Sequence, residues 1–117
     1  MMIRELQGKK VAIMEEHERI TGSEDLLDLF ADVGYRHKID RFVFDQASLP
    51  ERFFDLSSGI AGEILQKCSN YRVFLAIIGE FPQHASKSLR DFIRESNRGG
   101  HVFFVKELEQ ALDLLAR

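Results

Sequence analysis

Apolar and polar residues alternate weakly at the start of the chain, around a turn signal. Ile3 to Leu6, Gln7-Gly8-Lys9 and Val11 to Met14 together predict a β-hairpin. The run Glu15 to Glu18 reads as a solvated loop or strand end, with Arg19-Ile20 after it. The period then changes. Leu26, Leu27, Phe30 and Val33 fall on one helical stripe. Thr21 or Ser23 is placed to cap the start of that helix, Glu24 and Asp25 suit its positive end, and Gly34 suits its stop.

Strands and helices alternate from there on. Arg41 to Phe44 is a short strand, and Ser48-Leu49-Pro50 opens a loop. A helix from about Ser58 to Ser69 buries Ile60, Ala61, Ile64, Leu65 and Cys68. Arg72 to Ile78 is apolar nearly throughout, as in a strand covered on both faces. Gly79 to Ala85 is a loop, Ser86 to Asn97 a helix, and Gly99-Gly100 its exit. His101 to Val105 is another strand, followed by a helix carrying Leu108, Ala111, Leu112 and Leu115. Strands separated by single helices imply parallel neighbours joined by right-handed crossovers. The expected architecture is therefore α/β, an N-terminal β-hairpin leading into a mostly parallel sheet flanked by about four helices. No linker, repeat or low-complexity segment divides the chain, so one domain over residues 1–117 is expected.

Composition narrows the classes of function. The chain is 44% hydrophobic and 30% charged, ordinary values for a domain with one core. Its 16 basic and 19 acidic residues give a net charge of −3, which argues against nucleic acid or anionic lipid as a partner. The charge is uneven: residues 1–58 carry 8 basic and 12 acidic side chains, residues 59–117 carry 8 and 7. One cysteine, Cys68, excludes an intrachain disulfide framework and fits a reducing cytoplasm. The charged start lacks the apolar stretch of a signal peptide, and Val73 to Ile78 is too short to span a bilayer. A cytoplasmic location away from membranes is expected.

Three stretches bear on chemistry. In FFDLSSGIAGEIL (Phe53 to Leu65), a loop meets a helix start, where backbone N–H groups lack partners. Asp55, Ser57 and Ser58 are capping residues, while Gly59 and Gly62 leave room for a close approach. The same residues make a candidate phosphorylation or anion site, since a phosphate gains from a helix N-terminus. In SKSLRDFIRESNR, Lys87, Arg90, Arg94 and Arg98 line one side, opposite Leu89, Phe92 and Ile93. Asp91 and Glu95 stand beside that stripe, which reads either as a solvated face or as a surface for an acidic partner. The loop GEFPQHASKS follows the C-terminal end of the apolar strand, where open α/β sheets bind ligands. There Glu80, His84, Ser86 and Arg90 can converge with Asp45 and Asp55. His84 has no spacing to a nucleophile, and His17, His37, His84 and His101 show no metal-ligand spacing. Neither a P-loop nor GxGxxG is present, so no cofactor is expected.

FFDLSSGIAGEIL also resembles the F-x-D-S-S-G-L stretch of STAS domains, the sulfate-transporter and anti-sigma-factor-antagonist fold. Here Leu56 stands between the aspartate and the serine pair. In the antagonist branch the serine before the glycine is a phosphorylated switch, so the resemblance implies a STAS-like fold with Ser58 in that role. Over a longer stretch, FFDLSSGIAGEILQKCSNYRVFLAIIGEF and SKSLRDFIRESNRGG resemble the bacterial family of domain of unknown function 4180. That match runs in order from about Phe53 to Gly100, with a looser fit ahead of it. It implies a small bacterial cytoplasmic domain and brings no activity, substrate or cofactor.

The leading expectation is a regulatory module that binds a protein partner without catalysis, switched by charge at Ser57 or Ser58. The alternative is a small-molecule or anion-binding domain, or a weak enzyme, with its site at the C-terminal strand edge. Self-association through the N-terminal hairpin or an open sheet edge, into at most a dimer, is the third expectation.

Overall fold

The computed structural model describes residues 1–81 and 86–117. Its five strands are β1 (Met2–Leu6), β2 (Lys9–Ile13), β3 (Arg41–Asp45), β4 (Phe74–Ile78) and β5 (Val102–Val105). They form one sheet in the order β1-β2-β3-β4-β5. The four α-helices are α1 (Ser23–Leu29), α2 (Ile60–Asn70), α3 (Lys87–Gly99) and α4 (Leu108–Leu115). The expected hairpin is present: Gln7 and Gly8 both have positive φ, the mark of a two-residue turn matched to strand twist. The sheet is mixed rather than mostly parallel. β1 pairs antiparallel with β2 because that turn reverses the chain, while the pairs β2–β3, β3–β4 and β4–β5 are parallel.

Strand order explains where the helices lie. Each crossover steps one strand further in the same direction, and right-handed crossovers of that kind deliver their helices to one face. Leu26 of α1, Ile64 of α2 and Phe92 of α3 pack on that side. There Ala12, Phe42, Phe44, Leu75, Ile77, Val102 and Phe104 are buried. The opposite face, with Val11, Val43 and Ala76, is covered by Ala111, Leu112 and Leu115 of α4. Alternate residues of β4 thus enter different cores, which is why the strand reads as an unbroken apolar run.

Local ends differ from the expected ones. α1 is capped by Gly22, not by Thr21 or Ser23; the Thr21 N–H and hydroxyl instead donate to Asp25 Oδ2 at 2.7 and 2.6 Å. Gly34 does not stop this helix. It lies inside a π-helical stretch, Phe30–Tyr35, and the chain turns out of the helix only at Lys38, whose φ is +56°. The Ile39 N–H then donates back to the Gly34 carbonyl at 3.0 Å, closing a Schellman-type end. A Cβ on Gly34 would stand 2.9 Å from the Ile39 carbonyl oxygen, so glycine serves close approach here. The helix after β3 begins at Ile60, two residues later than expected, and Gly62 has no neighbour that a Cβ would meet. α3 starts as expected, with Ser86 Oγ accepting from the Leu89 N–H at 3.1 Å.

The two sheet edges are finished differently. On β5, the Phe104 N–H donates to Asn97 Oδ1 at 2.7 Å, and Asn97 Nδ2 reaches the Phe104 carbonyl at 3.4 Å. Ser96 Oγ donates to the Val102 carbonyl at 2.7 Å. Two α3 side chains therefore stand in for a sixth strand. Replacing Asn97 with Ala leaves both Phe104 groups unpaired, and the expected cost is about 1–3 kcal/mol by urea unfolding. Among the described residues β1 carries no such cover, and four of its five residues are exposed.

Candidate functional site

Beyond β3 the chain takes three short 3₁₀ turns before α2 begins, each opened by a residue suited to the task. Asp45 Oδ1 accepts from the Ala47 N–H at 2.9 Å and starts the turn Gln46–Ser48. Pro50, with φ of −65°, precedes the turn Glu51–Phe54. Asp55 Oδ1 accepts from the Ser57 N–H at 3.1 Å and starts the turn Leu56–Ser58. The aspartates expected to face a ligand thus spend their carboxylates on local backbone.

The serine pair is held by the same segment. Ser57 is exposed, and its hydroxyl donates to Asp55 Oδ1 at 2.6 Å. Ser58 is half-buried; its hydroxyl donates to the Arg52 carbonyl at 2.6 Å and accepts from the Ile60 N–H at 3.3 Å. Gly59 follows in the left-handed region, φ +81°, and turns the chain into α2. No atom would crowd a Cβ there, so the demand is purely conformational. A Gly59→Ala variant is expected to lose about 1–2 kcal/mol of stability in urea unfolding, with no repacking needed.

The other predicted residues sit apart from this segment. Glu80 is exposed just beyond β4, and His84 lies outside the described residues. Lys87, Arg90 and Arg94 project from the exposed side of α3. Lys87 Nζ reaches Asp91 Oδ2 at 2.9 Å, and Arg94 also pairs with Asp91. The bond from Lys87, with Arg94 and Arg90 adding their charge, holds the Asp91 carboxyl below its ordinary range. Part of the basic stripe is thereby answered within its own helix, by exposed pairs worth little to stability. Among the described residues, no hydrogen bond or ion pair joins these cations to Ser57 or Ser58.

A groove of about 860 Å³ lies at the opposite end of the sheet, where β3 and β4 begin. Leu27, Phe30, Ile39 and Val73 contribute its apolar lining, and Tyr35 and Tyr71 stand exposed along it. Sequence reasoning passed over both tyrosines. The available signal was that each falls off the apolar stripe of its helix, at the helix end. Near β2, Glu15, His17 and Glu18 gather one ligand atom each within 4.8 Å. Glu15 there lies 3.3 Å from His17, and Glu18 takes the Met1 ammonium, so these groups answer one another.

Among the described residues, no helix is long and apolar enough to cross a membrane. No curated protein and no solved structure matches the chain. A family model does, and it covers residues 6–115, from the last residue of β1 to the last residue of α4. The chain belongs to the family described as domain of unknown function DUF4180.

Proposed function

We propose that this chain is a STAS-like regulatory module of a bacterial cytoplasm, which binds a protein partner without catalysis and is switched by charge at Ser57 or Ser58. The observation that carries this reading is the way the two hydroxyls are used. Each closes a bond that holds the last 3₁₀ turn before α2, one to Asp55 and one to the Arg52 carbonyl. A phosphate on either serine breaks its bond and sets about two negative charges against the group it held, the Asp55 carboxylate for Ser57 and the Arg52 carbonyl for Ser58. Repulsion then opens the turn instead of tightening it. The surface presented by residues 51–59 changes, and a partner reads the difference. The serine–glycine step of the STAS motif selects Ser58 as the modified residue, while exposure favours Ser57. Capture from lysate of the native host, with wild-type, Ser58→Ala and Ser58→Asp baits, tests the reading. Partners are expected to bind the Ala and Asp baits differently; identical or empty lists from all three baits would overturn it.

A small-molecule role is favoured by one observation, the groove beside Tyr35 and Tyr71, whose volume lies in the range of ordinary ligand pockets. Thermal-shift screening with nucleotides, phosphates and organic acids separates the readings. A ligand that raises the melting temperature, and loses that effect in Tyr71→Ala, supports the groove; no stabilisation by any of them removes it.

A further inference from the structure

We infer that the outer edge of β1 is a self-association edge, at which two copies of this chain pair antiparallel with Ile3 opposite Ile3 of the second copy. The inference is independent of the switch at Ser57 and Ser58.

The contrast between the sheet edges comes first. Ser96 and Asn97 occupy the outward groups of β5. β1 ends the sheet, and among the described residues no element lies beyond it. An open edge of this kind is a template for another strand. Its side chains invite one: Met1, Met2 and Ile3 are 40, 53 and 42% exposed, and with Tyr35 and Tyr71 they are the exposed large hydrophobics of the described chain.

Strand geometry then selects the register. The two-residue turn makes Leu6 and Lys9 a hydrogen-bonded pair, so Leu6, Arg4 and Met2 bond to β2. The N–H and C=O groups of Ile3 and Glu5 therefore point outward. A two-fold axis normal to the sheet keeps each side chain on its own face, so only residues of equal parity can meet. Centring the axis on Arg4 sets two guanidinium groups opposite each other, and centring it on Glu5 sets two carboxylates opposite. Both are destabilising, and centring it on Met2 overlaps only residues 1–3. Centring it on Ile3 pairs Ile3 with Ile3, Met2 with Arg4 and Met1 with Glu5. That register gathers the exposed apolar side chains and sets no like charges directly opposite. Glu5 keeps its own cross-strand partner, Lys10. A second copy thus meets a self-complementary edge. The strand is only five residues long, so the contact falls well below the roughly 1,200 Å² of stable complexes, and the dimer is weak.

Sedimentation velocity over a concentration series, combined with single-cysteine cross-linking, tests this. The native Cys68 is buried and stays silent. The unmodified chain is expected to show a concentration-dependent monomer–dimer equilibrium. Ile3→Lys, at an exposed position, is expected to weaken it at least about tenfold while leaving the circular dichroism and melting temperature in place. Under mild oxidation Ile3→Cys should cross-link faster than Arg4→Cys or Glu5→Cys, since a hydrogen-bonded pair holds its Cα atoms about 5.5 Å apart, within disulfide reach. Three outcomes would overturn the inference: a strict monomer at millimolar concentration, a dimer indifferent to Ile3→Lys, or cross-linking at residue 4 or 5 as fast as at residue 3.

Discussion

Replacing Phe53 with Ala is expected to destabilise the fold by about 3–5 kcal/mol, the usual range for a buried phenylalanine. The ring is fully buried in a segment otherwise made of short turns. It lies 5.0 Å from Phe54, edge-on, and 6.2 Å from Phe104 of β5. Its N–H donates to the Pro50 carbonyl at 2.9 Å, so the backbone that carries the ring is itself fixed. Phe54 and Phe81 extend the cluster, with centroids 5.9 Å apart. Removing the ring therefore creates a cavity and unpins the chain between β3 and α2. Differential scanning calorimetry should show a fall of roughly 10–20 °C in Tm. Phe53→Leu, which retains most of the volume, should lose less than about 1.5 kcal/mol. A cost below about 1 kcal/mol for Phe53→Ala would mean that this loop is not anchored as described.

The second large effect is alkaline. Cys68 is fully buried on α2, and desolvation pushes its thiol from 9.0 up to about 12. The folded state thus keeps its proton where the unfolded state gives it up. Stability tied to that proton is complete below about pH 9. It declines at up to about 1.4 kcal/mol per pH unit above that, reaching about 4 kcal/mol near pH 12. The readout is the difference between wild type and Cys68→Ala in urea unfolding at pH 7 to 11, which cancels what the rest of the chain contributes. The cavity in the variant costs the same at every pH. Wild type should therefore lose its advantage as pH rises, and parallel curves would contradict the assignment. For the same reason, alkylation of Cys68 in the native protein should require unfolding.

Much of the fold was legible in the chain because periodicity carries it. The alternation on either side of Gln7-Gly8 and the stripe Leu108, Ala111, Leu112, Leu115 lie where expected, since one buried face dictates each pattern. Helix ends were less legible, for two reasons. Gly34 resembles a helix stop by composition, but the approach of the Ile39 carbonyl uses its missing side chain in another way. Lys38 and Arg72 take left-handed φ without being glycine, so no residue type announced those ends. Asn97 reads as a solvated residue of a basic helix. Its role on the β5 edge depends on which strand α3 lies beside, and tertiary contact alone decides that. For the candidate site, a helix start near Asp55-Leu56-Ser57-Ser58 was visible, but its cap fell to Gly59 and not to these side chains. The bond from Ser58 back to Arg52 was not visible, because it depends on the intervening turns. The groove beside Tyr35 and Tyr71 joins residues far apart in sequence, and no local pattern marks it.

Hydrogen exchange across residues 51–60 tests the proposed switch most directly, with wild type, Ser58→Ala and Ser58→Asp compared under native conditions. Ser58→Ala removes the two bonds of the hydroxyl, and Ser58→Asp sets a carboxylate against the Arg52 carbonyl as well. The expected result is exchange at the Phe53, Asp55, Ser58, Gly59 and Ile60 amides that rises from wild type to Ala to Asp. The last step is expected to be at least about tenfold, with β3 and β4 unchanged. Equal exchange in Ser58→Ala and Ser58→Asp would show that charge at this position does not open the turn, and would contradict the switch.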